Sequence, residues 1–293
     1  MAANGTTAET DEFWLFGYGS LIWKPPPHFD RRIPGWVTGY VRRFWQASQD
    51  HRGTPEAPGR VVTLISRSYW EQLVDHHDSA PDKVWGVAYR IKADRVTEVK
   101  EYLDIREING YTIHYTPFYP APGVDPALLP QNHNPDSSFR TLVYIGTPDN
   151  DQFVGPQDPQ KLAEHIYRSS GPSGLNRDYL WGLEAALDEL SPESGDEHVT
   201  DLSNRVRAIA AREEMKRRGE VNEAEGIQAD GTKEDKDGVA PLPPVIARND
   251  ATATNLEQVS SSVLEREQRH HEQHHNFRNP GDVDEQEETE KTS

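Results

Sequence analysis

The chain has 293 residues and a formal net charge of −18 at pH 7. This acidic balance argues against a surface that binds nucleic acid or an anionic membrane. The sequence contains no cysteine, which excludes disulfides, thiolate metal ligands and a cysteine nucleophile.

Residues 1–11 are small and polar and predict a flexible leader. They contain neither the basic nor the apolar region of a signal peptide. No apolar run in the chain approaches the roughly 20 residues needed to cross a bilayer. We therefore expect a cytoplasmic protein with no membrane and no nucleic-acid partner, and the sequence leaves its oligomeric state open.

The stretch from Phe13 to Trp23 begins as a continuous apolar run, which predicts a strand buried on both faces. It is interrupted at Gly17-Tyr18-Gly19-Ser20. Two glycines around an aromatic residue allow the backbone to approach a ligand closely, and successive N–H groups then form a concavity for a carboxylate or an oxyanion. The alternative is a simple hairpin turn between two core strands.

Further strands and one helix are predicted before residue 146. The strands are rich in β-branched and aromatic residues, whereas the helix has apolar residues on one face. The predicted strands are Gly39–Trp45, Val61–Ile65, Val84–Ile91, Thr112–Tyr119 and Phe139–Ile145, and the helix is Asp94–Arg106. Such closely spaced strands favour a mostly antiparallel sheet curled into a small barrel.

Three more helices are predicted after the strands, starting at Asp158, Asn176 and Asp196, each of which is a good N-cap residue. Residues 219–293 contain about 18 acidic and about 7 basic residues, a composition typical of disordered chain. The sequence therefore predicts an α+β folded domain over residues 12–218, followed by a disordered acidic tail over residues 219–293.

Glu107 lies between Ile105 and Ile108, where the predicted helix before residue 110 runs out. A carboxyl group in an apolar niche has a raised pKa and suits a general base. The alternative is a solvated residue at a helix end.

The cations of Arg42-Arg43 and Asp50-His51-Arg52 lie next to aromatic residues and could hold a substrate carboxylate. Surface ion pairs explain them equally well. Two histidine-containing segments, 76–78 and 270–275, have no scaffold that would fix metal ligands, and we expect no metal site.

Several motifs, in order along residues 13–200, resemble the ChaC family of glutathione-specific γ-glutamylcyclotransferases. They are Phe16-Gly17-Tyr18-Gly19-Ser20-Leu21-Ile22-Trp23, Arg42-Arg43-Phe44-Trp45-Gln46, Asp50-His51-Arg52-Gly53, Pro58-Gly59-Arg60-Val61-Val62-Thr63-Leu64, Val84-Trp85-Gly86-Val87-Ala88-Tyr89, Tyr102-Leu103-Asp104-Ile105-Arg106-Glu107, Gly110-Tyr111, Tyr144-Ile145-Gly146-Thr147, and Gly171-Pro172-Ser173-Gly174 with Asn176.

The resemblance implies a γ-glutamylcyclotransferase-like fold, a small β-barrel with flanking helices. It implies a lyase that splits reduced glutathione into 5-oxoproline and Cys-Gly without a cofactor. It also implies that Glu107 is the catalytic acid/base and that the substrate loop consists of Leu15, Phe16, Gly17, Tyr18, Gly19 and Ser20. Tyr179 is a further candidate for a substrate hydrogen bond, and it fits a core position of its helix as well.

The chain departs from the family pattern at two longer loops, Ser66–Lys83 and Gly123–Ser138, and at the tail. These departures leave two alternatives open. One is a cyclotransferase for other γ-glutamyl amino acids or γ-glutamylamines, and the other is a non-catalytic scaffold whose acidic tail engages basic partners.

Overall fold

The computed structural model describes residues 12–77, 80–106, 111–131, 133–134 and 137–228. They all belong to the first of two compact units, Met1–Gly231, and the second unit, Thr232–Ser293, lies outside the described residues. The strands are β1 Trp14–Gly17, β2 Phe29–Thr38, β3 Tyr40–Ser48, β4 Gly59–Ser66, β5 Lys83–Ile91, β6 Tyr111–Pro120, β7 Phe139–Gly146, β8 Ser170–Gly171 and β9 Gly174–Leu175. The helices are α1 Arg67–Trp70, α2 Val96–Arg106, α3 Pro159–Arg168, α4 Asn176–Asp188 and α5 Glu197–Gln228.

Within the described residues, five strands close into a barrel in the order β1-β5-β2-β6-β7. Four of the pairings are antiparallel, and the parallel pairing of β1 with β7, at Leu15 and Leu142, closes the ring. Closure removes the unpaired strand edges that an open sheet of this size would expose. The prediction of a small, mostly antiparallel barrel is confirmed.

Strand β1 is buried along its whole length, as its continuous apolar run predicted. Neighbouring strands pair with it on both edges. Side chains on both of its faces are covered, and Leu15 and Phe16 are among the most deeply buried residues of the described chain. The segment that follows β1 is therefore held in place by the barrel itself.

Strand β2 was not predicted, because Pro34 and Gly35 interrupt its pattern. A proline has no N–H to donate, so it is unusual inside a sheet. At Pro34 the strand is in register with β5, the register with β6 begins at Gly35, and the Pro34 carbonyl accepts the Ala121 N–H at 2.9 Å just after β6 ends. The missing N–H therefore breaks no ladder hydrogen bond on the β6 side.

Strands β3 and β4 form a separate two-stranded ribbon beside the barrel, and helices α3, α4 and α5 pack against one another next to it. One continuous apolar cluster extends from the barrel through the ribbon into these helices. It includes Val62 and Leu64 of the ribbon and Leu180, Leu183 and Val206 of the helices. The prediction of flanking helices is confirmed.

Two of the three predicted helix caps are present. The Lys161 N–H donates to the Asp158 carboxylate, and the His198 N–H donates to that of Asp196. The prediction that Asn176 caps α4 is wrong: it is the first helical residue, and its side chain makes no capping hydrogen bond. Its side-chain amide instead forms hydrogen bonds with the backbone of Arg60.

Helix α5 continues to Gln228, ten residues beyond the predicted end of the folded domain. Residues 211–220, which lead into this extension, are rich in Glu, Arg and Lys, which are good helix formers, and Arg218 pairs with Glu214 one turn earlier. The leader over residues 1–11 and the tail from residue 229 lie outside the described residues, so the domain limits stay a prediction. In the described part of the chain, no helix has both the length and the apolar character needed to span a membrane.

His198, near the start of α5, is a buried histidine whose Nε2 accepts a hydrogen bond from the Phe44 N–H at 3.1 Å. The ring is therefore neutral, with its proton on Nδ1. Burial first, and then the charges of Arg43, His77 and Arg42, hold the pKa of His198 well below its usual range.

We expect the free energy of unfolding to decrease as the pH falls below about 6.5, where His198 takes up a proton in the unfolded chain but not in the folded one. This one proton accounts for about 1.4 kcal/mol per pH unit. Urea unfolding between about pH 5 and about pH 8 measures the slope. In the variant His198→Phe the free energy of unfolding should change less steeply with pH, by about 1.4 kcal/mol per pH unit. An unchanged slope would contradict the prediction.

Candidate active site

The turn after β1 is not a hairpin, because the chain leaves it through a 3₁₀ turn at Ser20–Ile22 and the next strand starts only at Phe29. The Ile22 N–H donates to the Gly19 carbonyl at 3.0 Å. The N–H of Gly19 itself makes no hydrogen bond with any described residue. A main-chain donor is therefore left available at the point where the sequence predicts a ligand.

The glycines of the turn are required by close packing rather than by an unusual backbone angle. A Cβ atom on Gly17 would lie 2.5 Å from the Leu21 Cβ, and one on Gly19 would lie 3.0 Å from the Tyr179 hydroxyl. Neither glycine has a positive φ. Any larger residue would displace the turn from its neighbours.

The aromatic and aliphatic side chains of the predicted substrate loop point into the core. Leu15 and Phe16 are fully buried, and the Tyr18 hydroxyl donates to the Tyr144 carbonyl at 2.9 Å. These three side chains hold the loop, so only its backbone and the region of Gly19 and Ser20 remain to face a ligand.

Tyr179, on α4, is next to the turn. Its ring packs edge-on against Trp23 and Phe44, with centroid distances of 5.6 and 5.8 Å. Its hydroxyl is the atom closest to the position of a Cβ on Gly19. The two interpretations of Tyr179 are therefore compatible, since a core ring carries a hydroxyl group to the edge of the turn.

The three arginines of the predicted cationic cluster occupy three separate environments, none of them at the surface, whereas His51 and Asp50 form a partly exposed pair at 3.8 Å. The fully buried Arg42 guanidinium donates to the Trp85 carbonyl and lies 3.4 Å from Asp196. The Arg43 Nε lies 2.6 Å from Asp75. The interpretation of these two residues as surface ion pairs is wrong, because both pairs are buried.

Arg42 interacts electrostatically with the candidate site. Burial lowers the pKa of its guanidinium, and the nearby Asp196, Tyr179 and Tyr18 act in the opposite direction. Two of these neighbours belong to the predicted site, so the charge of Arg42 contributes to the potential there.

The third cation, Arg52, lies with the motifs around residues 58–60 and 171–176. The Asn176 amide accepts a hydrogen bond from the Arg60 N–H and donates one to the Arg60 carbonyl, both at 2.7 Å. The Arg52 Nη1 donates to the Leu175 carbonyl at 3.0 Å. These motifs were noted in the sequence only because they resemble those of a family. The fold brings them together at the start of α4.

Glu107 lies outside the described residues. Strand β6 begins four residues later, at Tyr111, which pairs with Gly146 at the end of β7. Tyr144, whose carbonyl accepts the Tyr18 hydroxyl, belongs to the same end of β7. The first described residue after Glu107 is thus on the strand adjacent to the contact that anchors the turn.

Gln46 is a polar residue that the sequence analysis named only as part of a family motif. Its side chain is completely buried, and neither of its amide atoms has a hydrogen-bond partner among the described residues. It faces Gly146. The Thr63 hydroxyl donates to the Gly146 carbonyl and accepts a hydrogen bond from the Gly146 N–H. The available signal was a polar residue within an otherwise apolar strand segment.

Two other features do not form part of this site. A groove of about 550 Å³ opens along α3, and its lining includes Lys161, His165 and Arg168 but none of the predicted site residues. The part of the chain that the structure describes contains no group of three acidic or histidine side chains suited to a metal ion. Asp78 and the histidines of 270–275 lie outside the described residues.

Comparison with known proteins places residues 13–209 in a family described as ChaC-like protein. The chain is 46% identical over 203 residues to the glutathione-specific gamma-glutamylcyclotransferase of Schizosaccharomyces pombe, with 69% of this chain and 96% of that protein covered. The protein of that name from Saccharomyces cerevisiae is 41% identical over 218 residues, which cover 67% of this chain and 94% of the relative.

A solved structure gives the same result for the fold. The crystal structure of a yeast gamma-glutamyl cyclotransferase specific to glutathione matches with a TM-score of 0.60 and 38% sequence identity. The match covers 68% of this chain and 99% of the yeast chain. The similarity therefore includes the barrel, the turn and the helices beside it.

Proposed function

Because the chain belongs to the ChaC family, we propose that it cleaves reduced glutathione into 5-oxoproline and Cys-Gly. The observation that carries this proposal is the family match over residues 13–209, which spans the turn, Glu107 and Tyr179. The curated relatives named above are called glutathione-specific, and this chain covers more than nine tenths of each of them.

The reaction is an intramolecular displacement. The α-amine of the γ-glutamyl group attacks the γ-carbonyl carbon, a C–N bond closes the five-membered ring, and the bond to the cysteinyl nitrogen breaks. Attack within one molecule has an advantage of up to roughly 7–11 kcal/mol when the reacting groups are well aligned. No cofactor and no enzyme nucleophile are required.

We assign the proton transfers to Glu107. The substrate amine lies beside a free α-carboxylate, so its pKa is above the value of about 8 for a peptide N-terminus; it is mostly protonated at neutral pH, and a base must remove its proton before attack. The same carboxyl group then returns the proton to the departing cysteinyl nitrogen. The proton that Glu107 takes from the amine is thus the one that it gives to the leaving nitrogen, and the enzyme ends the cycle in its starting protonation state.

We assign the backbone of the turn to the charged part of the γ-glutamyl group. An oxyanion or an α-carboxylate requires fixed N–H donors. The Gly19 N–H supports this role, because it donates to no group in the described residues. The buried Tyr18 and Phe16 side chains support it indirectly by fixing the backbone.

The deciding experiment is to incubate the purified protein with reduced glutathione and to measure 5-oxoproline and Cys-Gly together. Equal release of both products supports the proposal. Release of 5-oxoproline from γ-glutamyl amino acids or γ-glutamylamines in preference to glutathione would favour the other cyclotransferases. Binding of glutathione without turnover would favour the non-catalytic scaffold.

Tyr179→Phe separates a substrate hydrogen bond from a purely structural ring. The variant keeps the packing against Trp23 and Phe44, and we expect kcat/KM for glutathione to fall about 10-fold, the value of one hydrogen bond. Tyr167→Phe on α3 is the matched control. A Tyr179→Phe variant with wild-type kcat/KM would leave Tyr179 with a packing role only.

The cytoplasmic location and the absence of nucleic-acid and membrane partners stay predictions from the sequence. Fractionation of cells that express the full chain tests the location directly.

A further inference from the structure

Arg52 is an almost buried cation with no carboxylate partner. Its exposed fraction is 8%, and no carboxylate of the described residues lies within 4.0 Å of its guanidinium. Asp178 acts on it electrostatically from beyond that distance. The neighbouring cations differ, because Arg42 has Asp196 and Arg43 has Asp75. A buried charge without a counter-ion is costly, which points to an anionic ligand.

The position of Arg52 is fixed by its surroundings. Its N–H donates to the Ser48 hydroxyl at 3.0 Å, and its Nη1 donates to the Leu175 carbonyl at 3.0 Å. That carbonyl is presented by the tight β8–β9 hairpin, in which Gly174 has a φ of 100°, a conformation that favours glycine. The guanidinium is therefore held in place before any ligand arrives.

Two nitrogens of the Arg52 guanidinium remain available. Nε and Nη2 make no hydrogen bond with any described residue, and neither is sealed from solvent. Arg60 provides the contrast, since its Nε and Nη1 donate to the side chain of Gln157 and to the carbonyls of Pro58 and Gly59. A planar pair of free N–H donors matches the geometry of a carboxylate.

Tyr179 connects Arg52 to the turn. The Arg52 Cζ lies over the Tyr179 ring, 5.7 Å from its centroid, and the hydroxyl of that ring is next to Gly19. Two residues of extended peptide span roughly 7 Å. The Cys-Gly part of glutathione therefore has about the length needed to run from the turn along Tyr179 to Arg52.

We propose that Arg52 binds the C-terminal carboxylate of the substrate, which in glutathione is the glycine carboxylate. This inference rests on the proposed function. Arg52 then determines specificity: γ-glutamylamines have no carboxylate to offer, and γ-glutamyl amino acids carry theirs about one residue, roughly 3.5 Å, closer to the scissile bond. The γ-glutamyl end of the substrate is bound separately, at the turn.

The test compares glutathione with its monoethyl ester at the glycine carboxyl, a probe that lacks that charge and carries an added ethyl group. Wild-type kcat/KM should favour glutathione roughly 10- to 100-fold, as expected for a charged hydrogen-bonded pair. Arg52→Gln should lose this factor for glutathione and change little for the ester. Arg52→Lys should show a preference for glutathione between those of the wild type and Arg52→Gln, because the positive charge remains while the planar pair of N–H donors is lost.

Arg31→Gln is the matched control, since Arg31 also donates to main-chain carbonyls, those of Leu128 and Leu129, and has no carboxylate partner within the described residues. It should keep the wild-type preference. An Arg52→Gln variant that loses activity equally on both probes would reduce Arg52 to a structural role and overturn the inference.

If Arg52→Gln does not fold, the comparison of glutathione with its ester on the wild-type protein is the test. Equal kcat/KM values for the two compounds would overturn the inference. A wild-type protein that releases no 5-oxoproline from glutathione refutes the proposed function instead. In that case the affinities of the acid and the ester, measured by calorimetry, test Arg52 independently of turnover, and equal affinities overturn its role.

Discussion

Glu107→Gln is expected to fold normally and to lose nearly all turnover of glutathione. Glutamine keeps the shape of the side chain but cannot accept the proton of the substrate amine. General acid–base catalysis by one side chain contributes typically about 10²–10⁴-fold, and here the same group serves both halves of the reaction. We therefore expect kcat to fall by about 10³-fold or more, with thermal unfolding unchanged.

Release of Cys-Gly from glutathione measures this effect, and Glu101→Gln on the exposed side of α2 is the matched control. The residual rate of Glu107→Gln should rise with pH, since a growing share of the substrate amine, whose pKa is above about 8, is already neutral. A variant that retains turnover within a few fold of the wild type would remove Glu107 from the mechanism. The turn and Arg52 would then still be testable as binding elements.

The second large effect is expected at Asp196, which lies 3.4 Å from the buried Arg42 guanidinium and also caps α5. Removing one partner of a buried pair leaves an uncompensated charge, at a cost of about 3–5 kcal/mol. Loss of the cap adds about 1 kcal/mol. Asp196→Ala should therefore lower the free energy of unfolding by about 4–6 kcal/mol.

Asp196→Asn separates the two contributions, because its side-chain oxygen can still cap the helix while the charge is absent. It should be about 1 kcal/mol more stable than the alanine variant. Urea unfolding at constant pH measures both, with the exposed Asp188→Ala as a control expected within about 0.5 kcal/mol of wild type. An Asp196→Asn protein as stable as the wild type would show that Arg42 is not stabilised by this carboxylate.

The Asp196 effect extends to the candidate site. Arg42 interacts electrostatically with Tyr18 and Tyr179 as well as with Asp196, so a change at Asp196 alters the surroundings of the turn as well as the stability of the fold. A milder variant such as Asp196→Asn should therefore show a reduced kcat for glutathione even at temperatures where it is fully folded.

The sequence predicted most of the barrel because its strands have strong local signals. The apolar run of β1 and the β-branched residues of β7 are patterns that burial in any sheet would require. Strand β2 was missed because Pro34 and Gly35 are unfavourable in a strand unless the pairing tolerates them, and the pairing is decided by β5 and β6.

The helix caps likewise include one feature that local sequence predicts and one that depends on a tertiary contact. Asp158 was predicted correctly as a cap, since capping depends on a few neighbouring residues. Asn176 has the same local pattern, yet its amide binds the backbone of Arg60, far away in the chain. Local sequence cannot distinguish these two uses of a short polar side chain.

The amino-acid sequence by itself determined the class of the fold and the family, because strand patterns, glycine turns and ordered motifs are local properties of the chain. Only the tertiary structure decided which cation has a carboxylate partner and which has none among the described residues. Arg42, Arg43 and Arg52 look alike in sequence, but ion pairs depend on carboxylates brought from distant positions, and Arg52 alone of these three receives none among the described residues.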